Sequence, residues 1–201
     1  MDEVTQYEVV LSTSRINEQQ LIPILKEILK TFPFSIEGFH ADNGSEYINH
    51  QVAKLLNKLH IELTKSRSRH SNDNALAESK NASVVRKTYG YAHIAQHWAD
   101  ELNTFNRKYL IPFINFHRPC YFATTITDKK GKQRKRYDYD KMMTPYEKLK
   151  SLDQATSYLK ENITFELLDK EAYKISDNQL ADEMNLAKKR LFKKIFEQKR
   201  A

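Results

Sequence analysis

A single cysteine in 201 residues rules out an intrachain disulfide. Cys120 also has no His or Cys neighbour at ligand spacing, so it makes no zinc site and reads as a reduced thiol in a cytoplasmic protein. No apolar run approaches the ~18 residues a membrane span needs, which argues against a membrane partner. The opening Met1-Asp2-Glu3 lacks the basic-then-apolar order of a secretory signal. Internal repeats and low-complexity tracts are absent. Glycine is scarce, at four residues, while 40% of the chain is hydrophobic and 29% is charged. That balance describes an ordinary globular chain with some extended helical surface. The length suits one domain of ~100–150 residues plus an appendage.

Charge is the first positive signal. Thirty-three Lys and Arg against 26 Asp and Glu leave a net of +7, which favours a polyanionic partner without naming one. Its distribution says more. Residues 1–50 carry three basic and eight acidic side chains, whereas residues 54–91 carry eight basic and three acidic. The acidic stretch reads as structural and the basic one as a surface for nucleic acid.

Hydrophobic periodicity places the elements. Thr5 to Ser12 alternates as a strand. Leu21, Ile24, Leu25, Ile28, Leu29 and Phe32 mark one helical face. Ser35 to His40 is a short strand ending in a turn at Asp42-Asn43-Gly44-Ser45-Glu46. Ile48, Val52, Leu55, Leu56 and Leu59 predict a helix, and His60 to Thr64 a strand. Lys65 to Asn74, without an apolar anchor, is expected to be a loop running into a helix that holds Glu78. Trp98, Leu102, Phe105, Tyr109, Phe113 and Phe116 predict a long helix kinked at Pro112. Lys129 to Lys141, very basic and broken by Gly131, is expected as an exposed loop or hairpin. Thr144-Pro145-Tyr146-Glu147 is a capping box with Pro at the first helical position. From Asn178 onward Leu180, Met184, Ala187, Leu191 and Ile195 share a helical face ringed by lysines. The simplest reading of that face is a packed, solvated amphipathic helix.

Two carboxylates stand out. Asp42 follows a strand at a turn, and Glu78 lies in a helix with 35 residues between them. A hard cation such as Mg2+ takes oxygen ligands and uses one or two protein carboxylates, leaving room for water and phosphate oxygens. Either residue alone has a simpler explanation, a turn aspartate or a solvated helix face. Asp73 suits helix capping better than metal binding, and Glu46 belongs to the turn. Asn43 and Asn74 are placed to orient the same loops.

The strand-Asp42-Asn43-Gly44-Ser45-Glu46 segment, the Ser66-Arg67-Ser68-Arg69-His70 loop, the Asn72-Asp73-Asn74 turn and the 35-residue gap resemble the integrase core of retroviral integrases and insertion-sequence transposases. Asn115-Phe116-His117-Arg118-Pro119 resembles the Tyr-Asn-x-x-Arg-Pro ending of that core, and Thr144-Pro145-Tyr146-Glu147 resembles its Thr-Pro-x-Glu coda. The resemblance covers about residues 2–150. It implies an RNase H-like α/β fold, a mixed sheet with flanking helices, and a helical C-terminal extension. The expected units are a partial core at 1–118, a basic loop and coda at 119–150, and a basic extension at 151–201. It also implies DNA strand transfer with Mg2+ or Mn2+ held by Asp42 and Glu78, acting on transposon ends and target DNA.

The family uses three carboxylates. Its first Asp lies on the first of three strands, and this chain offers one strand ahead of its first helix. Asp2, at the start of that strand, is a poor match. The resemblance therefore implies a core lacking its first strands and first Asp, the fragment being incomplete or inactive. The alternative is a noncatalytic DNA-binding or partner-binding module that modulates an intact transposase, with self-association as a further option.

Arg67, Arg69 and His70 on the loop, with Lys80, Arg86 and Lys87 on the Glu78 helix, are the candidate phosphate contacts, which position DNA without reading its sequence. At 100° per residue, Lys80 and Arg86 lie about 200° and 80° from Glu78. Ala82 and Val85 stand where retroviral integrases carry basic residues, so those contacts do not transfer residue by residue.

Overall fold

The computed structural model describes residues 1–41, 50–65 and 75–197, without the side chains of residue 18 and residues 75–77. Helices α1 (Glu18–Thr31), α2 (His50–Lys58) and strands β1 (Gly38–Ala41) and β2 (Glu62–Lys65) form the first layer. Asn17 caps α1 by accepting the Gln20 N–H at 3.0 Å, satisfying a donor that has no partner within the helix. The predicted stripe then buries Leu21, Leu25 and Leu29 against Val52 and Leu56 of α2 and Ile61. With α2 covering one face, β1 and β2 pair in parallel, Gly38 against Glu62 through Ala41 against Lys65. A parallel pair requires a crossover of this kind.

Residues 5–12 do not form a strand by hydrogen bonding: they have no ladder partner among the described residues. Their alternation is nevertheless that of a strand. Tyr7, Val9 and Leu11 enter one cluster with Phe32, Phe34, Ile111 and Leu149, while Val10 packs into another with Val84, Phe105, Leu110 and Ile114. Two buried asparagines replace the missing ladder. Asn115 accepts from the Glu8 N–H and donates to the Glu8 carbonyl, both at 2.8 Å. Asn103 does the same for Ser12, at 2.6 and 2.8 Å. A side-chain amide presents a donor N–H and an acceptor oxygen side by side, so it satisfies a backbone unit as a neighbouring strand would.

Those asparagines lie on the long helical stretch 99–117. It begins as α5 (Ala99–Phe105) and widens to π winding over Asn106–Leu110 and again over Phe113–His117. Pro112, expected as a kink, keeps helical torsions of −57° and −47° between the two widened segments. The i→i+5 pattern of a π segment redistributes carbonyl partners around a residue that has no N–H to give.

The Glu78 helix is similarly composite: α3 (Ala75–Lys80), a π segment at Asn81–Arg86, and α4 (Lys87–Tyr89), ended by Gly90 at φ 73°. Further on come the antiparallel strands β3 (Ala123–Thr127) and β4 (Gln133–Tyr137), then helices α6 (Pro145–Lys150), α7 (Ala155–Tyr158), α8 (Phe165–Ala172) and α9 (Asp177–Glu197). The capping box is present at α6, Thr144 accepting from the Glu147 N–H and Glu147 from the Thr144 N–H. The predicted stripe of α9 is inward: Met184, Ala187 and Leu191 pack on Leu110 and Ile114, and Ile195 joins Trp98 and Leu102. The sheets are small and the architecture is mixed helix and strand. Among the described residues, no helix is long and apolar enough to cross a membrane.

Candidate metal and nucleic-acid site

Parallel pairing brings the carboxyl ends of β1 and β2 together at Ala41 and Lys65. In parallel α/β sheets, ligands bind off that end. Asp42 is the next residue after Ala41, and the loop with Arg67, Arg69 and His70 begins one residue after Lys65. Asp42, Arg67, Arg69 and His70 all lie outside the described residues, as do Glu46, Asp73 and Asn74.

Glu78 is described: it sits on α3 with its side chain exposed. The helix turns Lys80 and Val84 inward and leaves Glu78, Ser79, Asn81, Ala82, Arg86 and Lys87 exposed. Glu78 thus has the open setting that an oxygen ligand to a hydrated cation needs. Among the described residues no group of three or more His, Cys, Asp or Glu side chains is placed to hold a metal ion.

The cationic candidates divide. Arg86 and Lys87 are exposed, and the Arg86 guanidinium lies over the Tyr91 ring at 5.8 Å. The π winding of residues 81–86 means that the 100° step of an α-helix does not carry through to Arg86. Lys80 goes the other way. It is 7% exposed, and its ammonium donates to the Cys120 sulfur at 3.1 Å. An ammonium enclosed beside a buried sulfur does not reach a phosphate, so Lys80 is corrected from a DNA contact to an internal tie.

Behind this helix lies a polar layer that sequence reasoning missed. Glu8 is buried, with one carboxylate oxygen lacking any hydrogen-bond partner. Burial pushes its carboxyl above the ordinary range, against the opposing pull of Lys80, the Met1 amino group and Arg118. Burial likewise lowers the Met1 amino group. Arg118 donates to the Ser83 carbonyl at 3.3 Å, inside the π segment, and buried His117 faces Asp177 of α9 at 2.8 Å. The Asn115-Phe116-His117-Arg118 motif therefore joins the extended segment, the Glu78 helix and α9. Its signal in the sequence was a set of polar residues within an otherwise apolar helical stretch. Elsewhere, a polar cleft of about 260 Å³ lined by Ser12, Gln20, His97, Asp100 and Asn103 holds none of the predicted residues.

No family model matches the chain. The chain is similar to the uncharacterized protein y4rM of Sinorhizobium fredii (strain NBRC 101917 / NGR234), 34% identical over 74 residues. That stretch is 37% of this chain and 21% of the relative, so the similarity spans about a fifth of the relative's length.

Proposed function

We propose that the chain is part of the integrase-like, RNase H-type core of a transposase, whose intact form acts on DNA phosphodiesters with a divalent metal. Asp42 and Glu78 are its oxygen ligands, and Arg67, Arg69, His70, Arg86 and Lys87 are its phosphate contacts. The observation that carries this reading is the β1-α2-β2 crossover, whose paired carboxyl ends lead directly into Asp42 and the basic loop. Exposed Glu78 and Arg86 on the next helix add to it. Bound Mg2+ or Mn2+ would supply Lewis-acid stabilisation of attacking and leaving oxygens. The chain's own cations would hold the phosphate backbone in register.

The second reading, a noncatalytic DNA-binding module that modulates an intact transposase or a second copy, is favoured by the exposure of Arg86 and Lys87, which can hold phosphate without a metal.

Two measurements separate the readings. Mn2+ binding by the whole chain should weaken at least tenfold in Asp42→Asn and in Glu78→Gln, with the fold retained. Equal Mn2+ affinity in wild type and both variants would remove the metal site. Duplex binding that weakens steeply with salt and ignores both substitutions would then leave the noncatalytic module.

A further inference from the structure

β3 and β4 form a two-stranded ribbon that buries almost nothing. Nine of its ten strand residues are exposed and only Thr124 is half-buried. An isolated ribbon is marginal in water, yet this one has a built turn. The Asp128 carboxylate accepts the Lys130 and Lys132 N–H groups at 2.9 and 3.0 Å. Gly131 adopts φ 78°, a left-handed conformation that glycine reaches without a Cβ penalty. A three-residue hairpin loop of this type holds Lys129 and Lys130 at the tip.

The root is fixed as well. Cys120 and Met143 pair through both backbone bonds, at 2.8 and 3.3 Å. Gln6 donates to the Tyr121 carbonyl at 2.8 Å, and Cys120 receives Lys80 from the Glu78 helix. The ribbon therefore rises beside the helix that carries Glu78 and extends ~17 Å at ~3.4 Å per residue.

Its charge is unbalanced. Residues 123–141 hold seven Lys or Arg and three Asp. The three aspartates engage Arg134, Arg136 and Lys141 or lie beside them. Lys129, Lys130, Lys132 and Lys135 have no ion-pair partner among the described residues. Arg134 and Arg136 pair across the strands with Ile126 and Thr124, whereas Lys135 lies on the opposite face with Thr125 and Tyr137. Both faces thus carry cations, and a two-stranded ribbon has the width of the duplex major groove. Single strands are instead held on aromatic platforms, and the exposed tyrosines here, Tyr121, Tyr137 and Tyr139, cluster at the root.

We propose that the β3–β4 ribbon is a duplex-DNA contact that seats its cationic tip against the phosphate walls of a groove, beside the Glu78 helix. It rests on the reading above that the partner is DNA. The test compares the whole wild-type chain with the quadruple variant Lys129→Ala, Lys130→Ala, Lys132→Ala, Lys135→Ala. Duplex affinity is titrated from low to physiological salt, and the urea midpoint of the variant is checked against wild type.

If all four lysines engage phosphate, the log-log slope flattens by about 3.6, and the salt penalty between ~50 and ~200 mM shrinks on the order of 100-fold. Amine acetylation of the wild-type chain, with and without duplex, should show these four lysines protected and gives a readout independent of the variant. A steep wild-type slope that the variant reproduces, with the lysines unprotected, overturns the ribbon and leaves the DNA reading intact. Absence of duplex binding by wild type overturns both. Tighter binding to single-stranded DNA, to RNA or to anionic vesicles than to duplex overturns the assignment of partner.

Discussion

Replacing Asn115 by Ala probes the device that substitutes for a strand ladder. Asn115 is completely buried and makes three hydrogen bonds, two to the Glu8 backbone and one, at 2.9 Å, to the Ile111 carbonyl. Truncation leaves the Glu8 N–H and C=O without partners in an enclosed setting. A buried polar group left unmet costs ~1–3 kcal/mol, so the two together cost about 2–6 kcal/mol. Water entering the vacated volume would bring the loss toward the lower half of that range. Asn115→Asp is a sharper probe because it is nearly isosteric. It keeps the acceptor for the Glu8 N–H but points an oxygen at the Glu8 and Ile111 carbonyls, so its cost should match or exceed that of Ala. Urea unfolding reads both. With a slope of ~1–3 kcal/mol per molar for a small protein, midpoints should fall by about 1 M or more without a change in slope. Hydrogen exchange at the Glu8 amide should accelerate before global unfolding. Unfolding free energies within about 0.5 kcal/mol of wild type for both variants would show that the bracket is incidental and that apolar packing alone holds residues 5–12.

Glu8→Gln should stabilise the chain at neutral pH, because burial raises the Glu8 carboxyl. An acid whose folded value is raised contributes stability fully present below its unfolded value and lost as pH rises through the folded one. The variant's advantage in urea midpoint should therefore be near zero at about pH 4 and grow toward neutrality; a pH-independent difference would refute it. Ile195→Ala, at a site 1% exposed against Trp98 and Leu102, should cost ~2–5 kcal/mol in urea unfolding, whereas a solvated α9 would lose under 0.5 kcal/mol. Thr144→Ala removes the capping-box acceptor at 3.1 Å and should cost ~1 kcal/mol; loss of the Glu147 amide's exchange protection checks it.

Local chemistry was legible in the residues alone. Steps of three and four from Leu21 to Phe32 define a helical face because 3.6 residues close a turn, and that face is the one buried. The Thr144 to Glu147 box predicts a helix start because its hydrogen bonds stay within four residues. Gly131 amid Lys129 to Lys141 marks a reversal because the turn needs one left-handed residue. The resemblance to the integrase core singled out Asp42 and Glu78, and it could not say how their surroundings pack. Only tertiary structure decided that residues 5–12 are bracketed by Asn115 and Asn103 and that Lys80 turns inward to Cys120. The bracket spans 107 residues and the lysine tie 40, far beyond any local pattern. A propensity describes a residue against its immediate neighbours, whereas the fate of a lysine on a helix depends on which distant segment lies against it.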